Sequence, residues 1–112
     1  MRLVVNDERQ AEIAASLVDP GVRILVQPLG DIWLRDTGPI FYSNDRCALF
    51  TFNGWGGKYQ LPHDDEVGAR VALLAKADYR RHEFILEGGA IEMDGEGTLL
   101  TTRQCLLNPN RN

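Results

Sequence analysis

Two helical periodicities, each set among short extended runs, restrict this chain more than any other feature of its sequence. The first unit opens with an extended run, Arg2 to Val5, and passes to a helix with Asp7 as N-cap and Gln10 at the capping-box position. Ile13, Ala14, Leu17 and Val18 are expected to form its apolar face; Asp19-Pro20-Gly21 stops it, and Val22 to Val26 reads as a buried strand. The second helix follows Pro62 and is expected to be capped by Asp64, with Val67, Val71, Leu74 and Ala75 recurring at i, i+4, i+7 and i+8. Glu66 and Arg70 form a favourably ordered i,i+4 pair on its polar face. This alternation predicts an α/β (α+β) chain.

The connecting segments sharpen the pattern. After Pro28-Leu29-Gly30 comes a polar and aromatic connection, Asp31 to Gly38, then two extended runs, Pro39 to Tyr42 and Cys47 to Phe52, which Ser43-Asn44-Asp45 joins into a hairpin. A glycine-rich loop, Asn53 to Gly57, leads to the second helix. Beyond it lie a short extended piece, His82 to Leu86, a Glu87-Gly88-Gly89 turn, and the pair Ala90 to Met93 and Thr98 to Thr102. Asp94-Gly95 between that pair tolerates the positive φ of a tight primed turn, a strong hairpin signal. The order hairpin, helix, strand, hairpin makes the opening strand-helix-strand the tail of one unit, with a second from Pro39 and a third begun at Ala90.

Composition excludes several classes of function. The 112 residues are 44% hydrophobic and 25% charged with a net charge of -4, the balance of one ordinary globular domain. Basic residues form no run beyond Arg80-Arg81, so nucleic acid is not an expected partner. No apolar segment approaches the roughly 20 residues of a membrane span, and Met1 to Val5 is too short for a signal peptide, so no membrane partner is expected and the chain reads as cytoplasmic. Cys47 and Cys105 lie in apolar runs without Cys-x-x-Cys spacing and read as two buried, reduced thiols. His63 and His82 are far apart and neither falls in a ligand motif; no metal and no cofactor are expected.

The densest functional signal is Asp31-Ile32-Trp33-Leu34-Arg35-Asp36-Thr37-Gly38-Pro39, which sets two carboxylates, a guanidinium and an indole between two strands. A carboxylate accepts parallel N–H bonds from a planar guanidinium, and an indole face attracts a cation, so Asp plus Trp can clamp an arginine-like group. If the stretch were extended, Asp31, Trp33 and Arg35 would point one way and Asp36 the other; a turn would change this. Residue chemistry alone favours the plainer reading, in which Asp36 pairs with Arg35 or caps a turn and Trp33 fills the core. Gly57-Lys58 does not make a phosphate loop, because Phe52 stands where the first glycine belongs and Tyr59 where Ser or Thr does. Trp55 reads equally as pocket cover or core, and the role of Asp31 stays open.

The Asp31 to Pro39 stretch is similar to the Asp-x-Trp-x-Arg-Asp-x-Gly-Pro motif of the agmatine deiminase and bacterial peptidyl-arginine deiminase family. Phe52-Asn53-Gly54-Trp55-Gly56-Gly57-Lys58-Tyr59 and the run from Glu87-Gly88-Gly89 to Thr101-Thr102 match it in the same order, and Cys105 to Asn112 also resembles it. The resemblance implies that Asp36 binds a substrate guanidinium with Trp33 lining the pocket, and that Glu87 lies beside a catalytic histidine. It reverses the plainer reading of Asp36 and nominates Asp36 and Glu87 as the catalytic pair. It also implies metal-free hydrolysis of agmatine to N-carbamoylputrescine and ammonia, a step towards putrescine: a cysteine thiolate attacks the guanidinium carbon, and water resolves the covalent adduct.

The sequence departs from the family pattern in its catalytic motifs and in the segment the family carries before its first strand, which is not expected here. The family's His-x-Asp motif and Gly-x-Cys nucleophile lie well downstream of the Glu-Gly-Gly turn, and neither occurs here; His63-Asp64-Asp65 precedes Glu87, and Cys105 follows Gln104. The family fold is a closed pentein propeller of five ββαβ modules, of which this chain would supply roughly two, leaving faces exposed that are normally covered. The expectation is therefore a partial α/β propeller, residues 1–112 being part of a single catalytic domain and inactive alone. The implied partners are a small cationic guanidine and the remainder of the propeller, with further copies of the chain left open. Two alternatives stand beside agmatine deiminase: a peptidyl-arginine deiminase converting arginine to citrulline, and a non-catalytic binding or assembly module built from the same units.

Overall fold

A computed structural model describes all 112 residues. The first unit forms as its capping signals require: β1 (Arg2–Val5), α1 (Glu8–Leu17) and β2 (Arg23–Val26). Asp7 accepts from the Gln10 backbone N–H at 2.8 Å while the Gln10 side chain accepts from the Asn6 N–H at 3.0 Å. The reciprocal bond thus reaches the residue before the cap. The helix carries the chain back so that β1 and β2 pair in parallel, Arg2 opposite Arg23 and Val5 opposite Val26.

One complete ββαβ module follows. A turn, α2 (Leu34–Thr37), leads to β3 (Ile40–Phe41), antiparallel to β4 (Arg46–Thr51). A glycine-rich turn, α3 (Gly54–Gly57), then gives way to α4 (Asp64–Ala75) and β5 (Asp78–Ile85), which returns parallel to β4. The hairpin of β6 (Ile91–Met93) and β7 (Leu99–Thr101) comes next, with a last turn, α5 (Arg103–Leu107). Tail of one unit, whole second unit and opening hairpin of a third therefore stand in the order the sequence predicts.

Several local expectations are corrected. β5 begins at Asp78, four residues before His82, because its polar first half pairs with β4 from Arg46↔Asp78 onward; register, not hydrophobicity, defines that strand. The β6–β7 hairpin forms, but Asp94 to Thr98 make a longer loop than a two-residue turn. The Asp94 carboxylate accepts from Glu96 and Thr98 N–H at 2.8 and 3.0 Å, and both Gly95 and Gly97 take positive φ. Hydrogen bonding, that of Thr98 first, holds the Asp94 carboxyl below its ordinary range.

The core is small and lies where α4 packs on β4 and β5, with Cys47, Val67 and Ala72 fully buried. The inward face of α4 runs through Val67, Gly68 and Ala72, leaving Leu74 39% exposed against expectation. Gly68 sits inward because a Cβ there would come within 3.0 Å of the Thr37 carbonyl. The expected apolar face of α1 stays largely in solvent, Ile13 at 51% and Leu17 at 79% exposure. Accordingly the chain exposes 7924 Å2 where its 12.6 kDa would leave about 6,200 Å2 on a closed monomer. None of the helices is long and apolar enough to cross a membrane.

Candidate guanidinium site

The placement of Asp36 follows from the backbone of the Asp31 to Gly38 connection, which is a helical turn and not extended. Asp36 and Thr37 N–H donate to the Trp33 carbonyl at 2.9 and 3.1 Å, and Gly38 N–H donates to Leu34 at 3.0 Å before Pro39 ends the turn. Three residues apart on such a turn, Trp33 and Asp36 share a side. An extended stretch would have opposed them.

The Glu87-Gly88-Gly89 turn locks onto this one. Glu87 ends the run from β5, its side chain only 3% exposed, and the turn Gly88–Ala90 packs against α2. Neither glycine has positive φ; both are needed for close approach. A Cβ on Gly88 would collide with the Arg35 carbonyl oxygen, and one on Gly89 with Oδ1 of Asp36. In place of a Cβ, the Gly89 N–H donates to Asp36 Oδ1 at 2.9 Å, and the structure gives the second oxygen no donor. Arg35 does not pair with Asp36; it turns to Glu92, 4.0 Å away and largely solvated.

Between the two turns lies a cavity of about 380 Å3 lined by Trp33, Asp36, Trp55, Glu87, Cys105 and Arg111, among others. It shares Trp33, Asp36, Trp55 and Arg111 with a hollow of about 550 Å3 that adds Asp31, Lys58 and Tyr59. The three residues singled out in the sequence thus meet on one continuous concavity. Trp33 is 57% exposed on its wall and does not fill the core. Trp55 serves as wall and packing at once: it stands edge-on to Phe52 at 5.0 Å and to Tyr59 at 6.2 Å. Its φ of 57° is left-handed, within a turn in which Asn53 accepts from Gly56 N–H at 2.8 Å.

Arg111 is the contributor that sequence reasoning passed over. Its guanidinium meets the Glu87 carboxylate, and both side chains are nearly buried. The signal was the run Asn108-Pro109-Asn110-Arg111-Asn112, read only as part of a resemblance. The thiols divide: Cys47 is sealed in the core, where burial pushes its thiol up and keeps it protonated, whereas Cys105, expected to be buried, is half-exposed on the cavity wall. His63 and His82 do not line the cavity; His82 stacks on Phe50 at 5.0 Å. No three His, Cys, Asp or Glu side chains come together in a way that could hold a metal ion.

Residues 1–112 match the family model described as Porphyromonas-type peptidyl-arginine deiminase. The agmatine deiminase of Stutzerimonas stutzeri is 44% identical over 115 residues, covering 94% of this chain and 31% of its own length. That of Pseudomonas aeruginosa is 42% identical over 108 residues, covering 88% and 29%. Among solved structures, the agmatine deiminase of Enterococcus faecalis superposes with a TM-score of 0.87 at 34% identity, over 100% of this chain and 33% of that one. A substrate-bound C. jejuni agmatine deiminase gives 0.84 at 36%, over 99% and 34%. The fold is thus a segment of the pentein propeller of these enzymes. The chain spans about a third of the length of the relatives it matches.

Proposed function

Since this chain belongs to the Porphyromonas-type peptidyl-arginine deiminase family over all 112 residues, we propose that its cavity is the guanidinium-holding wall of an agmatine deiminase. The reaction is hydrolysis of agmatine to N-carbamoylputrescine and ammonia, within putrescine biosynthesis and in the cytoplasm. One observation carries this reading: Trp33, Asp36 and Glu87, brought from two turns far apart in the chain, line a single cavity.

In this reading Asp36 does the direct work. One oxygen is fixed by the Gly89 N–H, so the other is presented in a set direction to a flat cation. The Trp33 face supplies cation–π attraction of about 1 kcal/mol beside it. Fixing the plane of the guanidinium orients its carbon for attack, the contribution of positioning to rate. Glu87 takes the role of orienting an imidazolium. The attacking thiolate and the histidine belong to the remainder of the propeller, and residues 1–112 are one part of that single catalytic domain. The remainder would also cover the exposed faces of α1 and of the β6–β7 hairpin. Cys105 lacks the Gly-x-Cys setting of the nucleophile.

A second substrate has a specific support. The matching family model is described by peptidyl-arginine deiminases, and the hollow beside Trp55 and Lys58 has room for a peptide backbone. A blocked arginine peptide that displaced agmatine at equal concentration would favour that alternative.

The test uses the chain itself. Agmatine is expected to quench tryptophan fluorescence saturably through Trp33 and Trp55, while colorimetric assay finds no ureido product. Turnover above that of a Cys105→Ala control would overturn the division of labour, and absence of saturable quenching would overturn the site.

A further inference from the structure

Glu87 is a carboxylate without a neutral means of support. Its side chain is 3% exposed, and no backbone N–H, amide or hydroxyl within the chain donates to Oε1. A desolvated carboxylate in that position tends to take up a proton unless a cation faces it. The cation is Arg111, whose side chain is 12% exposed and whose planar fork of N–H donors suits a carboxylate.

Arg111 does not reach Glu87 by chance of a flexible tail. Asparagines on both sides of it clamp the segment to distant backbone. Asn53 Nδ2 donates to the Asn110 carbonyl at 2.8 Å, and Asn110 Nδ2 donates to the Gly56 carbonyl at 3.2 Å, tying the segment to the glycine-rich turn. Asn112 accepts from the Ile85 N–H at 2.7 Å and donates to the Ile85 and Leu106 carbonyls at 3.0 and 2.8 Å, tying it to the strand two residues before Glu87. Arg111 N–H itself donates to the Asn108 carbonyl at 2.7 Å. Side-chain amides thus fix the residues flanking Arg111, and the guanidinium is delivered to one place.

We propose that Arg111 is a positioning residue, a built-in counterion that holds Glu87 ionised and fixed on the cavity wall, leaving the ligand's guanidinium to Asp36. This rests on the guanidinium-site reading above. It assigns the two carboxylates different tasks: Glu87 is already engaged by an internal guanidinium, whereas Asp36 keeps a free oxygen. The other charged or titratable groups on the cavity are Arg35, Asp36 and Cys105. Arg35 is turned to Glu92, so Arg111 alone neutralises Glu87.

Carboxyl-carbon NMR of Glu87 against pH tests this on the 112-residue chain without ligand, so its failure is separable from failure to bind agmatine. In the wild type the Glu87 midpoint is expected below the ordinary glutamate value of about 4.3. Arg111→Gln should raise it by at least about one pH unit, a tenfold change in proton affinity, and Arg111→Lys should restore most of the difference. A wild-type midpoint at or above the ordinary value overturns the proposal even if Arg111→Gln does not fold. So does a midpoint unmoved by Arg111→Gln. Adding agmatine should leave the Arg111 guanidinium resonances in place; their release would make Arg111 a displaceable plug and overturn its role as fixed counterion.

Discussion

Asp64→Ala is expected to lower the folding stability of this chain by about 3 kcal/mol, the effect of leaving two half-buried backbone donors unbonded at a buried carboxylate's site. The sequence casts Asp64 as N-cap of α4, but the structure gives that position to His63, in a left-handed conformation without a capping side chain. Asp64 is instead the first helical residue, 4% exposed, and its Oδ1 accepts from Gly30 and Asp31 N–H at 3.0 and 2.8 Å. Those two residues begin the segment that carries Trp33 and Asp36. Gly30 is required there because a Cβ would run into Leu61, the Pro62 carbonyl and Asp64 itself. One carboxylate therefore ties the turn that carries Trp33 and Asp36 to the helix that packs on the core while sitting at that helix's positive end. Asp64→Asn keeps an acceptor oxygen and should lose about 1 kcal/mol. Urea unfolding followed by circular dichroism reads both; an alanine variant within about 0.5 kcal/mol of wild type would show that the tie carries no weight.

The second large effect concerns binding. Asp36→Asn is expected to weaken agmatine binding by roughly 30-fold, equivalent to about 2 kcal/mol for a charge-assisted hydrogen bond, while leaving stability near wild type. The two halves separate because Asn retains an Oδ1 to accept from Gly89 N–H, the only internal task of Asp36. Asp36→Ala removes both functions and should lose binding and some stability together. Titration by tryptophan fluorescence, with urea midpoints on the same samples, distinguishes them. Full affinity in the asparagine variant would mean that the free oxygen meets no cation.

Much of this was legible in the residues. The capping box at Asp7 and Gln10, the stop at Asp19-Pro20-Gly21 and the two hairpins gave the element order, because each signal is local. What failed was what depends on partners distant in the chain. The start of β5 is set by its register on β4, since Asp78 to Arg81 carry no strand periodicity. The inward face of α4 is set by how close Thr37 and Leu49 come, which admits Gly68 and Ala72 and turns Leu74 out.

The site divides in the same way. Asp36, Trp33 and Glu87 were nominated through the motif resemblance, and chemistry alone would have paired Asp36 with Arg35. Whether Trp33 and Asp36 share a side turns on two hydrogen bonds to the Trp33 carbonyl that no alternation of residue types announces. Gly88 and Gly89 read as turn residues, yet their value lies in the atoms they nearly touch. Arg111 was invisible because its partner stands 24 residues earlier.

The guanidinium claim is most directly tested by comparing agmatine with cadaverine, a diammonium of similar length without the planar guanidino group, in calorimetric titrations of the wild-type chain. Agmatine is expected to bind at least tenfold more tightly, about 1.4 kcal/mol, because only a flat cation can meet Asp36 edge-on while lying against Trp33. Equal affinity for the two would mean that the cavity collects positive charge without recognising its shape, and would contradict the account.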